Sequence, residues 1–223
     1  MLVNDFLLQK KIRDKKPLVG ATVHRKFNLL LKIWSDAKFI HIVRDGRDVA
    51  RSCIGMGWAG NVWTGTERWI ETEKLWSRME KSLSQEQKIE ITYESLIFQP
   101  KNTLQKLCNF MEITFEPEML QHHRNTTYSA PNPALLNQWK RKLSEGEIQS
   151  IELRIAQMLR ERNYPISDLL LIEVDSICRR KLKLQCWSNR VKFRIKQNGL
   201  PLFIADYISR RLKINVNIQS QLK

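Results

Sequence analysis

The chain has 223 residues, of which 42% are hydrophobic, enough for one sizeable packed domain. No apolar run reaches the ~20 residues that a membrane-spanning helix needs, and the N-terminus lacks the charge-then-apolar order of a signal peptide. These absences argue against membrane-spanning and secreted classes, and we predict a cytoplasmic protein. The 38 Lys and Arg residues outnumber 23 Asp and Glu, and the resulting charge of +15 favours an anionic partner.

The cysteines are widely separated, at Cys53, Cys108, Cys178 and Cys186, and none forms a C-x-x-C pair. Zinc sites and disulfide frameworks usually show closer and more regular spacing. We therefore predict no metal site, and we expect the thiols to be reduced and structural.

The predicted elements alternate between helices and strands. In chain order they are a charged helix over 1–16, a buried strand over 37–43, a helix over about 48–56, an amphipathic helix around 66–83, a strand over 88–93, and helices over 100–111 and 144–163. This alternation predicts an α/β fold with a parallel sheet flanked by helices. Ligands in such sheets bind beyond the carboxyl ends of the strands, and Arg44 and Tyr93 both lie at that end.

The stretch IHIVRDGRDVARS has the composition of a phosphate-binding turn. Arg44 follows the strand, where its planar guanidinium can bind a phosphate through two hydrogen bonds. Ser52 lies in the first turns of the next helix, whose N-terminus also favours an anion. The alternative is that the charges of this turn form only a surface ion-pair cluster, in which Asp45 and Asp48 cap the helix or hold Arg47.

The segment FIHIVRDGRDVARS resembles the 3′-phosphate-binding segment of sulfotransferases that use 3′-phosphoadenosine 5′-phosphosulfate (PAPS). In that family an Arg at the strand end and a Ser eight residues later hold the 3′-phosphate, as Arg44 and Ser52 would here. ITYESLIFQPKNTLQKLCNFMEI is similar to the segment whose Tyr contacts the adenine, which corresponds to Tyr93. QWKRKLSEGEIQSIE is similar to the family's W-K segment.

The resemblance implies a P-loop-NTPase-like sulfotransferase fold, with PAPS as co-substrate and a hydroxyl or amine acceptor on a small molecule or glycan. The family's cytosolic members carry a K-T-H segment whose His is the general base. Thr22-Val23-His24 lies at the corresponding distance before Arg44, so His24 is the candidate base. Alternatively, His24 is structural, since the Lys of that segment is replaced by Thr22.

Two motifs of the family are missing. The 223 residues contain no G-x-P-R-S-G-T stretch, whose backbone amides would cradle the 5′-phosphosulfate. On this ground we expect an N-terminally truncated chain; the alternative is that the missing stretch lies on another polypeptide. The family's R-K-G motif is replaced at positions 132–134 by Asn-Pro-Ala. Arg124, Lys140 or Arg141 can substitute for it, or can simply be solvated bases.

Composition divides the chain into a sulfotransferase domain over 1–165 and a basic helical C-terminal extension over 166–223. From Arg179 to Lys223 the only acid is Asp206, and aromatic residues are interleaved with the bases. The extension is interpreted as a helix with a solvated basic face, an interfacial helix on anionic lipid, or a binder of anionic glycan or nucleic acid.

Three functional hypotheses follow. The first is a PAPS-dependent sulfotransferase in which Arg44, Ser52 and Tyr93 bind the nucleotide. The second is a catalytically inactive fragment that binds only a nucleotide or an anionic surface. The third is a nucleic-acid-binding module that depends on the basic extension.

Overall fold

The computed structural model describes residues 2–124, 126, 129–170 and 172–212, with the backbone alone at 2–4 and 210–212. The helices are α1 (Leu2–Asp14), α2 (Gly46–Gly55), α3 (Val62–Met79), α4 (Tyr93–Phe98), α5 (Pro100–Met111), α6 (Trp139–Lys142), α7 (Glu145–Glu161) and α8 (Ser176–Leu212), and the strands are β1 (Phe39–Val43) and β2 (Lys88–Thr92). The α/β class with a parallel sheet flanked by helices is confirmed. The last part of the predicted extension, 213–223, lies outside the described residues.

Strands β1 and β2 run parallel, with Phe39 opposite Lys88 and Val43 opposite Thr92. The β-branched and aromatic content of FIHIV and KIEIT favours extended backbone. Because the final residues of the two strands are paired, the residues that follow them leave the same edge of the sheet together. Strand β1 ends at Val43, as the sequence predicts, whereas β2 ends one residue earlier than predicted, since Tyr93 already begins α4.

A cluster of four ionisable side chains, two of them buried, connects the sheet to the helices. His41 of β1 stacks on Trp76 of α3 at 4.4 Å, and its two ring nitrogens lie 3.3 Å from Glu73 and 2.9 Å from Glu90. Arg162, just after α7, reaches the same two carboxylates at 2.8 and 2.6 Å. The buried Glu73 carboxylate therefore faces Arg162 and His41, which offsets its loss of hydration, while the Glu90 carboxylate is partly exposed.

The main core lies between α2, α3 and α7. Its fully or nearly buried apolar residues are Ala50, Val62, Trp69, Ile151, Ile155 and Leu159. Helix α3 contributes Val62 and Trp69, seven residues apart, and α7 contributes three residues at spacings of four, so that each presents one apolar stripe to the other and to Ala50 of α2. The capping box of Ser144 and Glu147 begins α7 and so fixes which of its residues face this core.

The guanidinium of Arg47 is fully buried at the centre of this packing. It donates to the Asp45 carboxylate at 3.0 and 2.7 Å, to Glu152 of α7 at 2.6 Å and to the Pro165 carbonyl at 2.8 Å. Its plane lies 3.5 Å from the ring centre of Trp139. One side chain therefore connects the turn after β1 to α7, to α6 and to the segment that follows α7.

The first half of α8 packs against the turn before α3. Asn61 donates to the Leu182 carbonyl at 2.7 Å, and Asn189 donates to the Gly60 carbonyl at 2.8 Å. Gly60 is needed because a Cβ there would lie 2.2 Å from the carbonyl oxygen of Cys186. The helical extension is thus attached to the domain through its own backbone. None of the helices in the described ranges is long and apolar enough to cross a bilayer.

We expect Arg47→Met to lower the free energy of unfolding by about 3–5 kcal/mol, because the Asp45 and Glu152 carboxylates would remain buried without their cation. Urea denaturation followed by circular dichroism measures this loss. Arg160→Met on the exposed side of α7 is the matched control, with an expected change within about 0.5 kcal/mol. Equal stability of the two variants would contradict the structural role of Arg47.

We expect Gly60→Ala to loosen α8, because the new methyl group cannot fit against the Cys186 backbone. Hydrogen exchange read by mass spectrometry should show faster exchange in peptides covering 182–193. Gly55→Ala is the control, since a Cβ at that position meets no atom within 4 Å. Unchanged protection of α8 in Gly60→Ala would show that the close approach is unnecessary.

Candidate functional site

Arg44 and Tyr93 meet at the carboxyl edge of the sheet. Each directly follows one of the paired residues that end β1 and β2. The guanidinium carbon of Arg44 lies 4.5 Å from the ring centre of Tyr93, a cation–π contact. The two residues that the sequence places on one rim are therefore neighbours, although they are far apart along the chain.

Arg44 keeps unused binding capacity. Its side chain is 21% exposed, and its Nε is buried without a hydrogen-bond partner in the described structure. One terminal nitrogen donates to the Leu135 carbonyl at 2.6 Å, and the backbone carbonyl of Arg44 accepts from the Trp69 indole at 3.1 Å. The backbone is thus fixed, while the guanidinium still has donors for an anion.

The second arginine of the turn has a different role. The guanidinium of Arg47 donates its hydrogen bonds to buried partners. The Asp45 carboxylate pairs with this guanidinium and also caps α2, because it accepts from the backbone amide of Arg47 at 2.9 Å. This helix begins at Gly46, two residues earlier than the sequence predicts. The ion-pair interpretation of the turn therefore describes Asp45 and Arg47 closely, whereas Arg44 has a longer ion pair of 3.6 Å with Asp48 and keeps an unpaired Nε in the described structure.

Asp48 is the acidic neighbour of Arg44. It is almost fully buried; its Oδ1 accepts from the Trp139 amide at 2.8 Å, and its Oδ2 lies 3.6 Å from Arg44. Burial raises the pKa of the Asp48 carboxyl, while the Trp139 amide and the charge of Arg44 act in the opposite direction. Asp48 thus holds α6 in place and orients the guanidinium of Arg44.

A loop covers the guanidinium of Arg44. Arg141 donates to the carbonyls of Ala134 and Leu136 at 2.8 and 3.2 Å, on either side of the carbonyl that Arg44 holds. The sequence analysis offers Arg141 as a substitute for the missing R-K-G motif. In the structure one terminal nitrogen of Arg141 donates to both backbone oxygens, and the side chains of Arg141 and Lys140 are exposed.

Ser52 lies on the same side of α2 as Asp48, one turn further along, and is half-buried. Its neighbour Arg51 forms a short hydrogen bond with the Gln138 side chain, at the end of the loop that covers Arg44. Sequence reasoning missed Arg51. Its spacing of seven residues from Arg44 and three from Asp48 is the helical signal that could have found it.

His24 is placed apart from this group. It is exposed, in an irregular segment before the short 3-10 helix Phe27–Lys32, and its ring lies 5.6 Å from that of Trp58. In the described part of the chain, no hydrogen bond, ion pair or ring contact joins His24 to Arg44, Ser52 or Tyr93. The structure therefore brings together Arg44 and Tyr93, sets Ser52 on the adjoining helix face, and leaves His24 near Trp58.

Metal ligands do not cluster in the part of the chain that the structure describes, where no group of three or more His, Cys, Asp or Glu side chains could hold an ion. At the sheet edge, the N-terminus of α2, ten residues long, and the donors of Arg44 provide positive charge.

Residues 10–117 match the model of a family described as the sulfotransferase family. This range includes His24, Arg44, Ser52 and Tyr93. No curated protein sequence matches the chain.

Two solved structures are similar in fold. One is a sulfotransferase domain from the curacin biosynthetic pathway, 18% identical, with a TM-score of 0.54 and coverage of 73% of this chain and 68% of that domain. The other is a sulfotransferase domain from the olefin synthase of Synechococcus PCC 7002, 16% identical, with a TM-score of 0.56 and coverage of 74% and 64%. At these identities the likeness concerns the fold alone.

We expect the stability advantage of Asp48→Asn over the wild type to grow between about pH 4 and about pH 7. A carboxyl with a raised pKa binds more protons when folded than when unfolded, so its ionisation costs stability as the pH rises. Asparagine keeps an oxygen to accept from the Trp139 amide and removes the charge. Urea denaturation at a series of pH values measures the difference.

Glu112→Gln is the control of opposite sign. The pKa of the Glu112 carboxyl is lowered by its bond to Lys38, so its contribution is present at neutral pH and lost as the pH falls. The Glu112 variant should be the less stable partner at neutral pH and approach the wild type in acid. Parallel pH profiles for the two variants would contradict the assigned cause.

Proposed function

We propose that this chain, whose residues 10–117 match the model of the sulfotransferase family, is a member of that family and binds the 3′-phosphoadenosine end of PAPS at the carboxyl edge of its sheet. In this proposal Arg44 and Ser52 hold the 3′-phosphate, and Tyr93 contacts the adenine. The acceptor is a hydroxyl or an amine on a small molecule or glycan. The sequence-based prediction of a cytoplasmic location accompanies this proposal.

The observation that carries the proposal is the state of Arg44. Its Nε is buried and lacks a hydrogen-bond partner in the described structure, its one side-chain hydrogen bond there goes to a neutral backbone carbonyl, and the Asp48 carboxylate lies 3.6 Å from the guanidinium. A phosphate offers several charged acceptor oxygens to the same fork, so it competes well with a single carbonyl oxygen. The unpaired Nε of Arg44 fits a phosphate ligand better than it fits a purely structural role.

Tyr93 supports the choice of a nucleotide over a free phosphate. Its ring contacts the guanidinium of Arg44 at 4.5 Å, so a bound phosphate and an aromatic surface would be neighbours. A nucleoside phosphate carries a planar base and an anion in one molecule, and aromatic side chains stack on such bases. Ser52, on the half-buried side of α2, adds a hydroxyl donor on the adjoining surface.

When bound, PAPS supplies the sulfuryl group that the acceptor receives. His24 is proposed to take the proton of the acceptor hydroxyl or amine, since neutral imidazole is a suitable base near neutral pH. Its exposed ring beside Trp58 is accessible to an acceptor. Residues for the 5′-phosphosulfate in the form of a G-x-P-R-S-G-T stretch are not present in the sequence, so the proposal concerns the other end of the nucleotide.

Calorimetry with two ligands tests the site. We expect micromolar binding of 3′,5′-ADP and weaker binding of 5′-AMP, which lacks the 3′-phosphate. Arg44→Ala should abolish this preference by weakening 3′,5′-ADP roughly 10- to 100-fold while changing 5′-AMP little, because a charge-assisted phosphate contact contributes about 1.5–3 kcal/mol. Tyr93→Leu should weaken both ligands by a similar factor.

Arg160→Ala, an exposed arginine on α7, is the control and should retain both affinities. A preference for 3′,5′-ADP that survives Arg44→Ala would overturn the assignment of Arg44. Binding of 3′,5′-ADP without transfer of labelled sulfate from PAPS would favour the binding-only hypothesis. Transfer that is lost in His24→Ala with unchanged 3′,5′-ADP affinity would support His24 as the base.

A further inference from the structure

Helix α8 has one face that packs and one that does not. The packed side carries Leu182, Cys186, Asn189 and Phe193, at spacings of three and four residues, and contacts the turn around Gly60. These contacts orient the helix, so the side chains on its opposite side are directed away from the domain.

The outward side of α8 carries a stripe of large apolar residues. Ile177, Leu184 and Trp187 are 61%, 68% and 69% exposed, and their spacings of seven and three place them on one face. Val191 and Ile195 extend the same stripe along the helix and are half-buried. Isolated exposed apolar residues are common, but a continuous stripe usually marks a binding surface.

The stripe is bordered by cations on both sides. At 100° per residue, Lys181 and Lys192 lie along one border, Lys183 and Arg194 lie along the other, and Arg180 lies within the stripe beside Trp187. Between Ser176 and Ala205 the sequence has no Asp or Glu. The outward surface of this first part of α8 therefore combines an apolar stripe with flanking cations, and the one acid of the helix, Asp206, lies in its second part.

The pattern continues beyond a break in the helix. Gly199 adopts a positive φ of 75° and is followed by Pro201, which begins the second helical part. Four large apolar or aromatic residues at and after the break are 45–53% exposed and share one side, at spacings of four, three and one residue. They are Leu200, Ile204, Tyr207 and Ile208. Both parts of α8 thus present apolar residues to the surroundings.

We propose that the outward face of α8 lies on the surface of an anionic lipid bilayer, with its apolar stripe among the acyl chains and its Lys and Arg residues at the phosphate headgroups. An interfacial helix requires this arrangement of an apolar centre with long basic side chains at its borders, which keep their charges in the headgroup layer. Trp187 and Tyr207 suit the same layer, since their rings have both apolar and hydrogen-bonding parts.

A nucleic acid fits this face less well. Phosphate backbones are bound by cations and hydrogen-bond donors across the centre of the contact, whereas the centre here is occupied by Ile177, Leu184 and Trp187. Anionic lipid satisfies both components, because it offers negative headgroups above a hydrocarbon layer. The proposal is independent of the nucleotide site, which lies at the sheet edge.

Vesicle co-sedimentation of the full chain tests the proposal. We expect binding to vesicles of phosphatidylcholine mixed with phosphatidylserine, and at least tenfold weaker binding to pure phosphatidylcholine. Leu184→Ser with Trp187→Ser should reduce binding to the mixed vesicles at least tenfold. Both side chains are more than two-thirds exposed, so the fold should be retained, and 3′,5′-ADP affinity and circular dichroism verify this.

Matched controls distinguish vesicle binding by this face from nonspecific hydrophobic adsorption and from the effect of net charge. Leu170→Ser removes an apolar residue that is 85% exposed outside α8 and should leave vesicle binding unchanged. Lys181→Glu with Lys192→Glu should reduce binding to the mixed vesicles, whereas Lys101→Glu with Lys106→Glu on α5 makes the same charge change and should have a much smaller effect.

Three outcomes would overturn the proposal. The first is equal binding to neutral and anionic vesicles, and the second is binding that the Leu184 and Trp187 substitutions leave unchanged. The third is absence of vesicle binding together with either self-association that these substitutions abolish or salt-sensitive DNA binding. Within the third outcome, self-association would make a second copy of the chain the occupant of the face. Salt-sensitive DNA binding would make a nucleic acid the occupant.

Discussion

The buried guanidinium of Arg47 is the interaction on which the rest of the structure depends. A cation without exposure to water is tolerated only when its charge and donors are matched, and Asp45, Glu152 and the Pro165 carbonyl match them. Trp139 closes the remaining face of the group. Because these partners come from four separate stretches of the chain, a movement of the turn after β1 would disturb all four of them. The geometry of the sheet edge at Arg44 is fixed together with this turn.

The neighbouring Arg44 is the arginine that we propose binds the ligand. Arg44 is three residues from Arg47 but lies at the sheet edge, where Tyr93 contacts one face of its guanidinium and Asp48 lies at its side. An anion site on a rigid turn keeps its charges in position, so that only the loop carbonyl has to be displaced when a ligand binds. The loop carbonyl of Leu135 occupies part of this site and is a weaker partner for Arg44 than a phosphate oxygen.

Helix α8 shows how one contact can determine two surfaces. Its backbone approaches Gly60 so closely that no side chain fits between them, and the polar groups of Asn61 and Asn189 fix its rotation. Fixing the inward side necessarily fixes the outward one, which is why Leu184 and Trp187 are exposed beside a row of cations. The extension predicted as a basic helical appendage is therefore a packed element with a specific outward face.

The sequence by itself determined the α/β class, the principal strands and helices, and the strand–turn–helix unit that carries Arg44 and Ser52, because these follow from local periodicity and from a motif of fixed spacing. It could not assign different roles to Arg44 and Arg47, since both stand in the same charged turn and only the distant Glu152 and Trp139 distinguish them. Nor could it separate the two faces of α8, because apolar residues occur on both. Tertiary structure decided these points, since burial and contact between distant residues are not encoded in local spacing.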